Sequence, residues 1–577
     1  MNCRLACIAR WVAVITLMPF PIVFGNLSQQ QKPSIDSRSD SEDIGKFTGL
    51  GSFGRKVTTT CATAQQYFDQ GLCFLYAFNH DEACRSFQQA TLIDPDCAMA
   101  WWGIAMANGP HINRPLVTAE QAAIACGALE KAVAIIGVGN SEAGREVQST
   151  KATPVEIALI RAAKARYSWP SPDDRRPLDE AFAEAMREVW KEFSDDPDVG
   201  AIFAEALMDL RPWDLWMPNG EPQPGTEEIL KTLEATLKTK SQHPLALHLY
   251  IHALEASPHP DRARRAGERL RDLQPGLGHL VHMPSHIDVR LGNWEAAILS
   301  NRKAIDADQA YLEKSPQQDF YRIYMAHNRH MLAYAALMTG QSRLAEDMVT
   351  EMVQSMPTDW IKENAEMADG FTAIPLEVQV RFGQWDKILQ APEPHEYLPI
   401  ARTMWHKSRA IAFATKGELE NAINEQDAFV AARAAVAEEG IVGNNKAADV
   451  LAVAEQLMAG EILYRQGKVA DSLAKLQTAV ELEDKLRYDE PPDWLNPVRH
   501  ALGAVLLQES RGAEAEAVFR ADLVIHPNNG WALFGLARSF ELQERMDEAA
   551  KAQASFDATW RHADIKIASP CLCQPGK

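Results

Sequence analysis

The feature that most constrains this chain is a recurrence at 34 residues. Gly503 and Ala515 return as Ala537 and Ala549, and His248 and His252 return as His282 and His286. A fixed period of this length marks an array of small units, each unable to bury its apolar face alone. The unit is most legible in AQQYFDQGLCFLYAFNHDEACRSFQQATLIDPDCAMAWWGIA, which begins at Ala64. Small residues at Gly71, Ala83 and Ala90 let two antiparallel helices approach. Phe74 and Phe87 fill the groove between them, Pro95 ends the second helix, and Trp101 opens the next unit. Gly503, Ala515, Phe519 and Pro527 repeat the pattern. Between these ends it is looser. Gly292 with Ala297 and Ala304, Gly340 with Ala345, Gly417 with Ala422, and Gly460 with Ser472 and Ala479 each mark a helix pair. Gly-x-Trp at Gly292 and Gly383 marks the turn between two such helices. Alternating β-branched runs are few, so the chain is expected to be all-α, with ten or more helix pairs.

This pattern resembles the tetratricopeptide repeat (TPR) family over roughly residues 60–560, closely at both ends and more loosely in the middle. The resemblance implies a TPR-like helix-pair solenoid wound as a right-handed superhelix. It transfers fold and not activity, because the family is functionally diverse. The segment GHLVHMPSHIDVRLGNW also resembles one in exported bacterial repeat proteins of unassigned activity, which supplies no substrate. Long loop insertions interrupt the array at residues 108–114 (NGPHINR), 212–225 (around WDLWMPNGEPQPG) and 488–497 (YDEPPDWLNP). Such insertions in a solenoid fold over one face and often carry function.

Residues 1–25 read as an export signal: Arg4 and Arg10 precede an apolar run from Trp11 to Phe24, with a cut expected between Gly25 and Asn26. The run falls short of the about 20 residues of a membrane span, and Pro19 and Pro21 break it. The mature protein is therefore expected to be periplasmic or secreted, without stable membrane insertion. Residues 26–58 read as a disordered leader, 59–560 as the solenoid with histidine-rich central repeats at 243–332, and 561–577 as a C-terminal tail. A formal net charge of -20 argues against nucleic acid or anionic lipid as a main partner. The basic run Arg262, Arg264, Arg265, Arg269 and Arg271 is interleaved with acids and reads as a solvated helix face.

Signal cleavage leaves seven of nine cysteines, an odd number that guarantees a free thiol in a compartment that permits disulfides. Cys571-Leu572-Cys573 resembles a redox or metal pair only weakly, since one intervening residue is not the two-residue spacing of a redox helix cap. The P-loop, the GxSxG elbow, the Gly-rich dinucleotide turn and HExxH are all absent from the sequence. Trp101, Trp102, Trp213, Trp216 and Trp294 can roof a pocket, although aromatic residues at repeat positions are ordinarily core.

Nine of the sixteen histidines fall between residues 243 and 330: His243, His248, His252, His259, His279, His282, His286, His327 and His330. The turns at Gly292 and Gly340 set the repeat frame. In it, His279, His282 and His286 take the second, fifth and ninth places of one repeat. His327 and His330 take the second and fifth of the next, and His248 and His252 the fifth and ninth of the one before. The TPR resemblance implies that these places line the inner wall, with Glu255 at the twelfth as the nearest candidate carboxylate. Within each helix the spacing of three, four or seven residues keeps the rings on one face. Adjacent helices about 8–10 Å apart bring facing imidazoles within reach of one ion.

One buried histidine is ordinarily a hydrogen-bonded core residue. Seven at lining places are not explained by packing, so His248, His252, His279, His282, His286, His327 and His330 are the candidate ligands. Imidazole donors suit copper or zinc and disfavour calcium and magnesium. Seven exceed what one ion needs, which points to two ions, or to one ion with spare rings as acid and base. His111 and His406 read as surface or turn histidines.

The candidate functions are an exported metal-dependent enzyme, a non-catalytic scaffold binding peptide or protein in the concave groove, and a metal-delivery protein. An enzyme calls for the loops around Trp213 and Trp494 to close over the histidines and a small molecule to reach them. A scaffold calls for a groove open to solvent.

Overall fold

A computed structural model describes residues 44–137 and 151–574. The expected export signal and the leader as far as residue 43 lie outside the described residues. Within them, twelve antiparallel helix pairs follow one another, from Ala62–Tyr76 with His80–Ile93 to Gly530–Leu542 with Met546–Thr559. The one sheet among the described residues is a short hairpin, Ile441–Val442 with Asn445–Lys446. The chain is an all-α, TPR-like helix-pair solenoid.

The repeat rests on two local devices. The first is a left-handed residue between the two helices of a pair. Gly292, Gly340, Gly383, Gly417 and Gly467 all have φ between 63° and 82° there. Ser510 and Glu544 hold the same place at 57° and 61°, and so does Phe78 at 57°, where a bulky side chain is an outlier. The second is an aromatic wedge. A Cβ on Gly503 or Gly535 would stand 2.3 Å from the ring of Phe519, and one on Gly71 or Gly103 within 2.7 Å of Phe87. Each phenylalanine thus sits between glycines of its own and the following first helix. Phe519→Ala removes a fully buried ring. It should cost about 3–5 kcal/mol, read as a lowered denaturation midpoint of the C-terminal repeats.

Part of the expected disordered leader is ordered. Residues 44–58 pack between the first helix pair and later repeats, with the ring of Phe47 5.0 Å from Phe74 and 5.6 Å from Tyr311. Arg55 pairs with Asp196 and Asp198 at 2.8 Å, and Gln274 Nε2 donates to Leu50 O at 2.8 Å. The Ser/Gly-rich composition that suggested disorder hides five apolar residues, Ile44, Phe47, Leu50, Phe53 and Val57, packed in or on the core. At the other end the chain returns on itself: Trp294 Nε1 donates to Pro527 O at 3.0 Å, and Trp531 Nε1 to Leu337 O at 2.8 Å. The seven cysteines among the described residues are all free.

The buried apolar side chains form two large clusters, one running to Met325 and the other starting at Val289. They meet in the histidine-rich repeats.

Candidate metal centre

Three successive first helices supply the site. Pro244–Glu255 is buried along its whole length and presents His248 and His252 one turn apart. The next first helix is split by Pro284 into Gly278–His282 and Pro284–Arg290, and contributes His279, His282 and His286. Tyr321–Met338 contributes His327. His243 is used locally, capping its helix by accepting from Ala246 N and meeting Asp198 Oδ1 at 3.1 Å. His259 is exposed.

Six of the seven candidate ligands fall into two groups of three. In each group one nitrogen from every ring lies within 4.8 Å of the other two: His248, His252 and His279 in the first, His282, His286 and His327 in the second. The groups adjoin, with ring centroids of His252 and His286 5.5 Å apart and those of His279 and His282 5.7 Å apart. His330 lies outside both. It is buried, its Nε2 has no partner, and its ring stands 6.0 Å from Phe371. Glu255 joins the groups as an acceptor, with Oε1 2.9 Å from His252 Nδ1 and Oε2 2.6 Å from His286 Nδ1. The second contact is a close ion pair, not an aligned hydrogen bond.

The outer nitrogens determine the tautomers. His248 Nδ1 donates to the carbonyl of Tyr76 at 3.0 Å. His282 Nδ1 donates to Asn301 Oδ1 at 2.8 Å, and Asn301 is oriented by its own Nδ2 donating to Ala297 O at 2.9 Å. His252 and His286 direct Nδ1 at Glu255. His248, His252 and His282 therefore turn Nε2 inward with an available lone pair, and His286 joins them when it gives up its Nε2 proton. This is the arrangement in which a second partner fixes a metal-binding imidazole. His279 and His327 can donate Nε2–H to His248 Nε2 and His282 Nε2, each at 3.1 Å. His282 Nε2 also lies 2.7 Å from His286 Nε2, a contact between two rings whose Nδ1 both face acceptors, and it needs a proton or a cation between them.

Electrostatics agree. Burial first, and neighbouring imidazoles second, hold His248, His279, His282 and His327 well below the ordinary imidazole value. Burial opposes charge on His286 too, but Glu255 outweighs it and raises that ring. Burial would raise Glu255, yet His286 and His252 bring its carboxyl down to about 2. The four depressed rings stay neutral in the folded chain while the unfolded chain protonates near pH 6.5. Stability therefore falls as pH drops below that value. Metal-free protein should show a falling thermal midpoint between about pH 7 and pH 5, with His286 offsetting part of the loss. A midpoint that stays flat across this interval contradicts the assignment of neutral rings.

All three insertions converge on the site. Trp213 sets its ring 5.3 Å from His252, and its Nε1 donates to Asn113 Oδ1 at 3.0 Å. Asn113 Nδ2 in turn donates to Tyr324 Oη at 3.2 Å, and the Tyr324 ring lies 4.3 Å from His279. Arg487 Nη2, at the edge of the third insertion, donates to Trp213 O at 3.3 Å. Burial raises Glu490 to about 8, against the opposing pull of His286. The histidines are closed in and do not line an open groove. A mainly apolar recess reaches His252 and Glu255, walled by Ile112, Met208, Leu215, Trp213 and Trp216, with Arg211 as its cation.

Two residues of the site escaped the sequence reading. Phe78, in the left-handed turn, places its ring 4.4 Å from His248 and 4.6 Å from His111. His111 sits in a turn as expected but is buried, bridged by backbone to Arg114. The insertion NGPHINR was its one available signal. His406 meets Glu425 Oε2 at 2.7 Å, away from both groups.

No protein-family model matches the chain, and no curated protein matches it. Among solved structures it is similar to the human IFIT1 dimer with PPP-AAAA at 11% identity, over 86% of this chain and 89% of that one, with a TM-score of 0.32. Yeast Tom70 aligns at 12% identity over 88% and 91%, with a TM-score of 0.27. The TPR domain of P58(IPK) aligns at 12% over 87% and 96%, with a TM-score of 0.20. These likenesses are too distant to bear on what the chain binds.

Proposed function

We propose that this solenoid is a metal-dependent enzyme acting on a small molecule, with one late first-row ion, copper or zinc, in each three-histidine group. The observation that carries this reading is the pairing of inward Nε2 atoms with anchored Nδ1 atoms: His248 on Tyr76 O, His282 on Asn301, and His252 and His286 on the two oxygens of Glu255. The all-imidazole donor set disfavours calcium and magnesium. When bound, such ions supply Lewis-acid polarisation and, for copper, one-electron chemistry. The chain's own part is to exclude water with Trp213 and Tyr324 and to admit substrate through the recess beside His252. The mainly apolar lining of that recess favours a substrate with an apolar body.

Helix-pair solenoids also serve as protein-binding scaffolds, and the outer faces of this one leave that role open to it. Buried histidines fit poorly as the polar lining of a peptide groove. They fit a delivery protein equally poorly, because a donor must present its ion to an acceptor. The deciding experiment is elemental analysis of protein isolated from its native compartment. About two equivalents of copper or zinc that depend on the histidines are expected per chain, and equal sub-stoichiometric metal in wild type and histidine variants favours the scaffold.

We also propose export. The mature N-terminus should lie near Asn26, and no described helix is long and apolar enough to cross a membrane. Intact Met1 on cytoplasmic protein overturns this.

A further inference from the structure

A second cluster lies far along the chain from the histidines. The C-terminal tail runs back into the fold and buries Ser569, Cys571, Cys573 and Gln574. Both thiols meet the carboxylate of Glu461, from helix Ala447–Arg465, with one ligand atom from each residue within 4.8 Å of the other two. We propose that Cys571, Cys573 and Glu461 bind a zinc-class divalent ion that fastens the tail to the repeats. This site is separate from the histidine groups and does not depend on the reading given to them.

Three observations support it. The first is an unmet valence: Glu461 is buried, and its Oε1 has no hydrogen-bond partner. Its Oε2 accepts from Gln574 Nε2, so a neighbour holds the carboxylate while one oxygen stays available. The second is charge. Arg381, Lys407 and Arg465 stand around the thiols together with Glu377, Asp522 and Glu461. Lys407 pairs with Glu377, Arg381 reaches Asp522 through His500, and Arg465 Nη2 donates to Cys573 O at 2.5 Å. These three cations and three carboxylates cancel. Two thiolates then leave two negative charges in a buried place, which one divalent ion neutralises. The third is room. A recess lined by Lys407, Asn496, His500 and Arg381 opens beside the two cysteines, so a fourth position on the ion can take water or a small ligand. Two thiolates and one carboxylate suit zinc, and the hard ions calcium and magnesium do not take thiolate. Binding releases the thiol protons to solvent as each sulfur becomes a ligand.

The test uses the full chain, stripped of metal under reducing conditions and titrated with cobalt(II) and then zinc. Cobalt(II) should give a thiolate-to-metal absorption in the near ultraviolet whose final amplitude corresponds to one thiolate-bound ion per chain and which disappears when zinc displaces it. The double variant Cys571→Ser with Cys573→Ser should lose that band and one equivalent of metal, while His282→Ala with His286→Ala keeps the band. Glu461→Gln tests the third ligand with both thiols in place and should weaken the band. Zinc should also protect Cys571 and Cys573 of the wild type from alkylation, a readout that needs no variant. Absence of a cobalt–thiolate band in wild type overturns the proposal. So does a Cys571–Cys573 disulfide in freshly isolated, metal-replete protein, which would make the pair a redox couple.

Discussion

Replacing His282 and His286 together by alanine is expected to empty the second histidine group and remove one of the two ions held by histidine. The pair contributes two of that group's three rings, and His327 alone cannot retain a metal. The outer repeats should stay folded, because a solenoid's repeats depend mainly on their neighbours. The loss should also appear as stability. An ion that binds only the native state adds about 2.7 kcal/mol at a concentration one hundred times its Kd. Wild type should therefore lose thermal stability when stripped of metal, and the variant should lose correspondingly less. His330→Ala is the control: its ring lies outside both groups, so metal content should not change. Metal analysis of the three proteins decides the matter. Equal metal in wild type and the double variant removes the dinuclear reading. Metal binding should also weaken as pH drops through about 6.5, where protons compete for imidazole.

Much of this fold was legible because repeats advertise themselves. The glycine–phenylalanine wedge at Gly71, Phe87, Gly503 and Phe519 is a packing requirement, and packing requirements leave a period in the sequence. The repeat frame placed seven histidines on inner helices, and six of them meet. Its resolution ended there. A frame gives a ring's direction but not its depth, and His330 points into a neighbouring pocket beside Phe371 instead of into the second group. Nor can spacing divide the histidines. His279 and His282 share one short helix yet belong to different groups, while His282 and His286 share a group across the break at Pro284. Phe78 was invisible for a different reason. Its turn is a place where most repeats put glycine, so only the structure reveals a strained phenylalanine laid against His248. The leader misled through composition, which averages over the five apolar residues that fasten it.

Glu255→Gln should be the most damaging single substitution at the site, although it changes one oxygen into an NH2 group. Glu255 accepts from His252 in one group and faces His286 in the other, one oxygen for each. A glutamine offers one acceptor and one donor, so it can serve only one imidazole N–H and confronts the other donor to donor. That ring must rotate or change tautomer, and its Nε2 no longer faces the ion. Loss of such a supporting partner typically costs about 10–100-fold in metal affinity, so one ion should weaken by that factor and the other by less. The metal-free protein should suffer as well, since removing one partner of a buried charge pair costs about 3–5 kcal/mol. The pH window follows from the two shifts. Glu255 lies below its ordinary value of 4.5, so its contribution is present above that pH and is lost as pH falls toward 2. His286 lies above its ordinary 6.5, so its contribution is complete below that pH and is lost as pH rises through the raised value. Wild type and Glu255→Gln, both metal-free, should therefore differ most between about pH 4.5 and 6.5. Glu255→Asp keeps the charge but is one methylene shorter and cannot span both rings, so it should recover one group at most. Titration of both variants with copper or zinc, read by calorimetry, measures the two affinities separately. Two unchanged affinities in Glu255→Gln would show that the carboxylate supports neither ion.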